Sequence, residues 1–130
     1  MISIRSCQKI LIVEDEGDLC LILEMILHRK DVMIDFVKNI AAAKEYVKRS
    51  APDLILLDNR LPDGLGIDFI PLARHLHPEV KIIMISAKAG AVKERALYNG
   101  ADLFLKKPFS RLELLRCVDS LLDPLYDFAG

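Results

Sequence analysis

Four short apolar runs, separated by longer stretches of helical period, constrain the fold of this chain more than any other feature. Runs of this kind predict buried parallel strands that are joined by helices. Each run leads into polar residues: run 10–13 into Glu14 and Asp15, run 54–57 into Asp58, run 82–85 into Ser86, and run 103–105 into Lys107. Because the carboxyl ends of parallel strands meet at one edge of a sheet, we expect these polar residues to gather there.

The alternation of patterns predicts five strands and five helices. The predicted strands are 9–13, 32–37, 53–58, 81–86 and 102–106, and the predicted helices are 18–29, 40–49, 67–76, 92–99 and 110–122. Residues 61–66, which contain a proline and two glycines, are predicted to form a loop. The fold class is therefore α/β: a doubly wound, flavodoxin-like sheet of five parallel strands, in the order 2-1-3-4-5, with helices on both faces.

Length and charge predict one domain with no strong attraction for polyanions. The chain has 130 residues, is 52% hydrophobic and carries a formal net charge of −1. We assign 1–124 to the domain and 125–130 to a C-terminal tail or linker stub. Direct binding to nucleic acid or a membrane is not expected, since the charge is balanced and no apolar run approaches the roughly 18 residues of a membrane span. The N-terminal segment does not have the apolar core of a secretory signal, which predicts a cytoplasmic protein.

The carboxylates of Glu14, Asp15 and Asp58 predict a divalent-metal site. Crowded carboxylates repel one another by about 4 kcal/mol for a close pair at an effective dielectric constant near 20. A hard cation such as Mg²⁺, with Mn²⁺ as an alternative, fits ligands that are all oxygen. A second interpretation of Glu14 and Asp15 is an acidic pair that faces the dipole of the following helix.

The other strand-end residues suit phosphoryl chemistry. Asp58 follows a rigid strand and can act as a nucleophile that forms an acyl phosphate. Lys107 precedes Pro108, which favours an extended backbone at the lysine, and its ammonium group can pair with Asp58 or with phosphoryl oxygens. Ser86 offers a hydroxyl donor. The alternatives are structural: Asp58 would cap the next loop, and Ser86 would form a local turn bond.

Together these motifs resemble the receiver domain of bacterial two-component response regulators. The motifs are IVEDE at 12–16, LLD at 56–58 with LPDG at 61–64, SA at 86–87, and the stretch from GAD at 100–102 to KPF at 107–109. The resemblance spans essentially the whole chain. It implies a phosphoprotein in which Asp58 accepts a phosphoryl group from the phosphohistidine of a sensor histidine kinase or a phosphotransfer protein.

The same resemblance implies roles for the surrounding residues. Asp15 would bind Mg²⁺ directly, Glu14 would bind it through water, and the backbone carbonyl of Arg60 would complete the protein ligands. Ser86 and Lys107 would engage the phosphoryl group. Phe104 would be the aromatic switch residue, although a half-packed side chain on an edge strand is the structural alternative. The fourth helix, fifth strand and fifth helix would form the output surface for a downstream domain or protein partner.

Competing functions make different demands on the sequence. An aspartyl-phosphate phosphatase would need a second acid two residues after the nucleophile, where this chain has Arg60. A degenerate receiver that only docks partners would not need Asp15, Asp58 and Lys107 together. We therefore expect a signalling switch, not an enzyme, with slow self-phosphorylation and self-dephosphorylation as its only catalysis. Arg60 and Lys88, just beyond site residues, are expected to hinder the attacking water and prolong the phosphorylated state. Whether the chain is a stand-alone regulator or part of a longer protein stays open.

Overall fold

A computed structural model describes residues 7–29 and 31–123. Its sheet strands are β1 (Gln8–Val13), β2 (Val32–Val37), β3 (Leu54–Asp58), β4 (Lys81–Ser86) and β5 (Leu103–Lys106). Its helices are α1 (Gly17–Leu27), α2 (Ile40–Arg49), α3 (Ile70–Leu76), α4 (Ala91–Asn99) and α5 (Arg111–Leu122). The strands form one parallel sheet in the order β2-β1-β3-β4-β5. The predicted fold class and strand order are confirmed.

The core has two layers, one on each face of the sheet. Successive side chains of a strand point to opposite faces, so Leu11 and Val13 of β1 join the layer under α2, α3 and α4. Ile10 and Ile12 join the layer under α1 and α5. Every residue of the central strand β3 is buried. This double coverage explains why the strand runs are continuously apolar.

Three predicted elements differ from the structure by more than one residue at a boundary. The helix predicted over 67–76 is a 3₁₀ turn, Gly66–Phe69, followed by α3. Pro71 accounts for this break, since it has no backbone N–H with which to continue an α-helical ladder from the preceding turn. The predicted loop over 61–66 contains a short antiparallel ladder between Arg60–Leu61 and Gly64–Leu65. The first helix ends at Leu27, before the predicted Arg29, because His28 has an extended backbone.

Side-chain caps fix the helices relative to the sheet. The carboxylate of Asp63 accepts hydrogen bonds from the backbone N–H groups of Ile40 (2.8 Å) and Ala41 (2.9 Å), which ties the turn after β3 to the start of α2. Ser110 and Glu113 form a reciprocal capping box at the start of α5. Each cap satisfies backbone N–H groups that have no partner inside the helix.

One half-buried guanidinium joins α3, β4 and the turn before β5. Arg74 donates hydrogen bonds to the backbone oxygens of Pro78 (3.0 Å), Val80 and Gly100 (2.6 Å). It also forms an ion pair with Asp102 at 3.0 Å. Asp102 is therefore held at this corner by Arg74.

The helices were also compared with the requirements of a membrane-spanning segment. Across residues 7–29 and 31–123, no helix combines the length and the apolar character that crossing a membrane requires. The segment 125–130, which we assigned to a tail or linker stub, lies outside the described residues.

Candidate functional site

Three carboxylates converge where β1 and β3 end. Ligand oxygens of Glu14, Asp15 and Asp58 all lie within 4.8 Å of one another. Glu14 and Asp58 are buried, whereas Asp15 is exposed at the mouth of the cluster. All three ligand atoms are carboxylate oxygens, which is the donor chemistry that a hard divalent cation prefers.

Lys107 connects this acidic cluster to the end of β5. Its Nζ lies 2.9 Å from Oδ1 of Asp58 and 3.5 Å from Oε1 of Glu14. Its backbone N–H donates to the carbonyl oxygen of Ser86 at 2.8 Å, so the loop after β5 is held against the end of β4. Burial alone would lower the pKa of Lys107, but the hydrogen bond and charge of Asp58, with the charge of Glu14, raise it. The ammonium group is therefore retained beside the carboxylates.

Glu14 is held in place from both its backbone and its side chain. Its N–H donates to the carbonyl oxygen of Val37 at 3.0 Å, and its Oε2 accepts from the N–H of Glu16 at 3.1 Å. Burial, followed by the nearby charge of Asp58, raises the pKa of Glu14. The raised pKa reports the cost of burying this carboxylate and, second to that, of placing it beside Asp58, and a bound cation would offset both.

The cluster forms the wall of an open pocket of about 520 Å³. Its lining residues are Glu14, Asp15, Glu16, Asp58, Arg60, Ser86, Ala87, Lys88 and Lys107. The structure therefore brings Asp58, Lys107, Ser86, Arg60 and the acidic pair to one cavity. Ser86 also makes the local turn bond considered above, because its Oγ accepts from the N–H of Lys88 at 3.1 Å. A hydroxyl that accepts this bond keeps its own proton free to donate into the pocket.

Comparison with known proteins decides the family. The family model described as the response regulator receiver domain matches residues 10–119. The chain belongs to this family. As a receiver domain of two-component response regulators, it is a signalling module whose acidic pocket is compatible with phosphate acceptance.

Individual relatives agree with this assignment. The chain is 39% identical over 104 residues to the response regulator protein PilR of Pseudomonas aeruginosa, covering 79% of this chain and 23% of PilR. It is 31% identical over 121 residues to the phosphate regulon transcriptional regulatory protein PhoB of Escherichia coli, covering 88% of this chain and 52% of PhoB. The chain thus spans about a quarter to a half of the length of these relatives.

Solved receiver structures share the fold. A CheY-like receiver domain protein from Methanospirillum hungatei has a TM-score of 0.83 at 26% identity, over 88% of this chain and 93% of that one. The receiver domain of the sensor histidine kinase PA1611 from Pseudomonas aeruginosa has a TM-score of 0.79 at 30% identity, over 89% and 98%. That structure holds a magnesium ion in its active-site cleft.

Phe104 of the receiver does not line the acidic pocket. It is half-buried on β5, where it packs against the core layer beneath α4. It also lines a separate surface groove with residues of α4 and α5. This position matches the structural alternative of an edge-strand side chain, and its role as a switch stays a prediction.

Two residues of the turn after β3 support Asp58 and were not singled out from the sequence. Asn59 is buried, its N–H donates to Ile85 O at 3.2 Å, and its own carbonyl oxygen accepts from Gly66 at 2.8 Å. Its side chain accepts from the N–H of Ile67 at 3.2 Å. A Cβ atom on Gly66 would lie 2.3 Å from the backbone oxygen of Asp58. The sequence does show an amide residue directly after the strand, Asn59, and a second glycine in the loop, Gly66. Neither feature indicates which residues they contact in the fold.

Proposed function

We propose that this receiver domain is a phosphorylation-driven switch in which Asp58 is the phosphoryl acceptor. The observation that carries this proposal is the contact of Asp58 with Lys107 at 2.9 Å, inside a pocket where three carboxylates crowd within 4.8 Å. Strand-end capping alone does not account for a buried aspartate that pairs with a lysine from another strand. A phosphohistidine on a sensor histidine kinase or a phosphotransfer protein is the proposed donor.

The residues fit a divalent cation of the magnesium type, with manganese as the alternative. We assign Asp15, Asp58 and the backbone carbonyl of Arg60 as its direct protein ligands, with Glu14 acting through water. When bound, such a cation would offset the negative charge of the carboxylates and of the transferring phosphoryl group. The magnesium ion in the cleft of the PA1611 receiver supports this assignment.

The residues of the chain account for the transfer step. A carboxylate oxygen of Asp58 forms the new bond to phosphorus while the phosphorus–nitrogen bond of the donor breaks and its electron pair stays on the imidazole. Lys107, already within 2.9 Å of Asp58, pairs with the developing negative charge. The Ser86 hydroxyl donates a hydrogen bond to a phosphoryl oxygen. The only other reactions we assign are slow self-phosphorylation from a small phosphodonor and hydrolysis, in which water attacks phosphorus, inorganic phosphate leaves and the Asp58 carboxylate is restored. The protein is therefore a switch and not an enzyme with its own metabolic substrate.

The added charge provides the output of the switch. A phosphoryl group carries about −1.5 to −2 charges and recruits donors such as Ser86 and Lys107. Because Lys107 directly follows β5, its movement changes the surface formed by α4, β5 and α5. We propose this surface, including Phe104, as the contact for an output domain or a protein partner. Residues 1–124 are the proposed extent of the domain that performs this function.

The proposal is tested by substituting the acceptor. The purified protein is incubated with radiolabelled acetyl phosphate and magnesium, and acid-labile label is measured. We expect Asp58→Asn to abolish labelling while the far-ultraviolet circular dichroism stays that of the wild type. Asp68→Asn, an exposed acid on the 3₁₀ turn, is the matched control and should label normally. Persistent labelling of Asp58→Asn would place the acceptor at another residue.

A further inference from the structure

We infer that Asn59 and Asn99 are positioning residues for the cation site of the proposed function. They act through the backbone of Ile67. The Oδ1 of Asn59 accepts a hydrogen bond from the N–H of Ile67 at 3.2 Å, and the Nδ2 of Asn99 donates one to its carbonyl oxygen at 3.2 Å. Neither asparagine is among the residues that line the acidic pocket. The inference rests on the proposed function and adds two residues that set how tightly the cation is held.

The turn after β3 carries two of the proposed ligands, Asp58 and the backbone carbonyl of Arg60. Asn59 lies between them in the chain. Its N–H donates to the carbonyl oxygen of Ile85 at 3.2 Å, and its own carbonyl oxygen accepts from the N–H of Gly66 at 2.8 Å. Any residue except proline could make these two backbone bonds. The bond from its side chain is therefore what asparagine adds to this turn.

The side-chain bond of Asn59 lies in a buried part of the molecule. Asn59 is 6% exposed and Ile67 is 1% exposed. The first N–H groups of a helical turn have no partner inside the turn, and Ile67 is the second residue of the 3₁₀ turn Gly66–Phe69. Without the amide of Asn59 this buried N–H would lose its acceptor, which is costly, so we expect the turn to shift.

A shift of the 3₁₀ turn would reach the cation site because the turn packs closely against the end of β3. A Cβ atom on Gly66 would lie 2.3 Å from the backbone oxygen of Asp58 and 3.0 Å from the side chain of Leu57. A cation of the magnesium type requires nearly octahedral placement of its ligands. Small displacements of Asp58 and of the Arg60 carbonyl should therefore weaken its binding.

Asn99 makes a bond that the carbonyl oxygen of Ile67 does not need for its own satisfaction. That oxygen already accepts from the N–H of Ile70, which directly follows the 3₁₀ turn. The amide of Asn99 is therefore a second donor, and it connects the turn to the last residue of α4. A role limited to pairing a buried carbonyl does not account for this contact, whereas holding the turn in place does.

The end of α4 is a firm support for the contact that Asn99 makes. Gly100, the next residue, has a left-handed backbone with a φ of 117°, and its N–H donates to the carbonyl oxygen of Leu97 at 3.1 Å. The carbonyl oxygen of Gly100 accepts from the guanidinium of Arg74 on α3 at 2.6 Å. Asn99 thus holds Ile67 from a part of the fold that α3 and α4 fix together.

The test measures cation affinity in the unphosphorylated full chain. Mn²⁺ is titrated into the protein, and the free ion is read from its electron paramagnetic resonance signal. Residues behind metal ligands typically contribute about 10–100-fold to metal affinity. We expect Asn59→Leu, which keeps the branched shape but removes the acceptor, to raise the Kd about tenfold, and Asn99→Ala to raise it at least about threefold. The double variant should resemble Asn59→Leu, because both contacts act through one turn.

Gln8→Met is the matched control. The Nε2 of Gln8 donates to the backbone oxygen of Leu122 at 3.3 Å, at the start of β1 and thus at the opposite edge of the sheet from the pocket. Removing this amide–carbonyl bond should leave the Kd within about twofold of the wild type, since distant sites act independently. Urea midpoints are measured for the same proteins. A residue that only stabilises the fold would lower the midpoint and leave the Kd of the folded protein unchanged.

The inference is overturned if both asparagine variants bind Mn²⁺ as the wild type does, if Gln8→Met weakens binding as much as they do, or if the wild type does not bind Mn²⁺. Should Asn59→Leu fail to fold, Asn99→Ala decides the outcome alone, because alanine suits a helix end.

Label incorporation at Asp58 separates this inference from the proposed function. Normal labelling of the wild type together with unchanged Kd values in the asparagine variants would refute the positioning role alone. A wild type that takes up no label would refute the proposed function, whatever the variants bind.

Discussion

Lys107 is the residue on which the charge balance of the pocket depends. It contacts Asp58 at 2.9 Å and Glu14 at 3.5 Å, so a single ammonium faces a cluster of three carboxylates. A divalent cation would offset the charge of the cluster that Lys107 leaves unbalanced. The sequence indicated these residues because each follows an apolar run. Their strands run parallel in one sheet, so the carboxyl ends of β1, β3 and β5 lie at the same edge.

Two further cations at the pocket are expected to control how long the phosphorylated state lasts. Arg60 and Lys88 line the cavity beside Asp58 and Ser86, where their side chains can obstruct an attacking water. We predict that Arg60→Ala and Lys88→Ala each lose label from Asp58 severalfold faster than the wild type. The measurement is the decay of acid-labile radiolabel after removal of the phosphodonor. Lys44→Ala on α2 is the control, and unchanged or slower decay in both pocket variants would contradict the hypothesis.

At the scale of elements, the turn after β3 is set by contacts that local sequence does not reveal. Asp63 caps α2, which begins 23 residues earlier in the chain, and Asn59 bonds back to β4. Helical periodicity correctly located α2 and α5, but it extended α3 into the 3₁₀ turn. Helical periodicity shows which face of a helix is apolar. It does not show where the 3₁₀ turn gives way to α3, because that depends on the backbone N–H that Pro71 does not have.

Gly66 provides a test of this turn. A methyl group there would meet the backbone oxygen of Asp58 at 2.3 Å and the side chain of Leu57 at 3.0 Å. We predict that Gly66→Ala lowers the free energy of unfolding by about 1–3 kcal/mol, as overpacking does, and slows labelling at Asp58. Urea denaturation and label incorporation measure the two effects.

The matched control for this substitution is Gly17→Ala, because a Cβ atom on Gly17 meets nothing within 4 Å. Gly17 begins α1, so alanine there should leave stability unchanged or raise it by up to about 1 kcal/mol. Equal stability of the two variants would show that the turn can move away from β3 without cost.

The hydrogen bond between α2 and the edge strand β2 gives a prediction in alkaline solution. Tyr46 donates from its hydroxyl to Asp35 at 2.7 Å, and burial, with that bond, raises the pKa of Tyr46 to about 12. We predict that Tyr46→Phe lowers the free energy of unfolding by about 1 kcal/mol at neutral pH.

The sign of the pH dependence follows from the raised pKa. The unfolded tyrosine ionises near pH 10, so the contribution of Tyr46 is complete below that pH and is lost as pH rises through about 12. Urea midpoints of the wild type should therefore approach those of Tyr46→Phe between pH 9 and pH 12. A gap between the two proteins that stays constant over this range would refute the assignment.

At the scale of the whole molecule, the reactive polar side chains lie at the carboxyl edge of the sheet, and the apolar strand residues form the core. The five-strand order was predictable because continuous apolar runs require coverage on both faces. The ion pair between Arg74 and Asp102 was not predictable, since it joins α3 to the residue before β5, 28 positions later in the chain. Which charged side chains form ion pairs depends on the distances between them in the folded molecule.

Binding of a divalent cation should stabilise the entire domain. A ligand that binds only the folded state adds about 2.7 kcal/mol at a concentration one hundred times its Kd. We predict that magnesium raises the midpoint of urea unfolding of the wild type, and that Asp15→Asn, at the exposed ligand, largely removes this shift. A wild-type midpoint that does not respond to magnesium would contradict the proposed metal site, and an equal response in both proteins would remove Asp15 from the ligand set.

The strand β5 leads directly into the pocket lysine, and its own residues line a surface groove with residues of α4 and α5. Lys106 and Lys107 are adjacent in the chain, and the register pairs Lys106 with Ser86. Signal transmission therefore needs no long relay through the interior. By thermodynamic linkage, a partner that binds one conformation of this strand more tightly must stabilise that conformation by the same factor. Downstream proteins would thus help to determine the fraction of regulator that stays switched on.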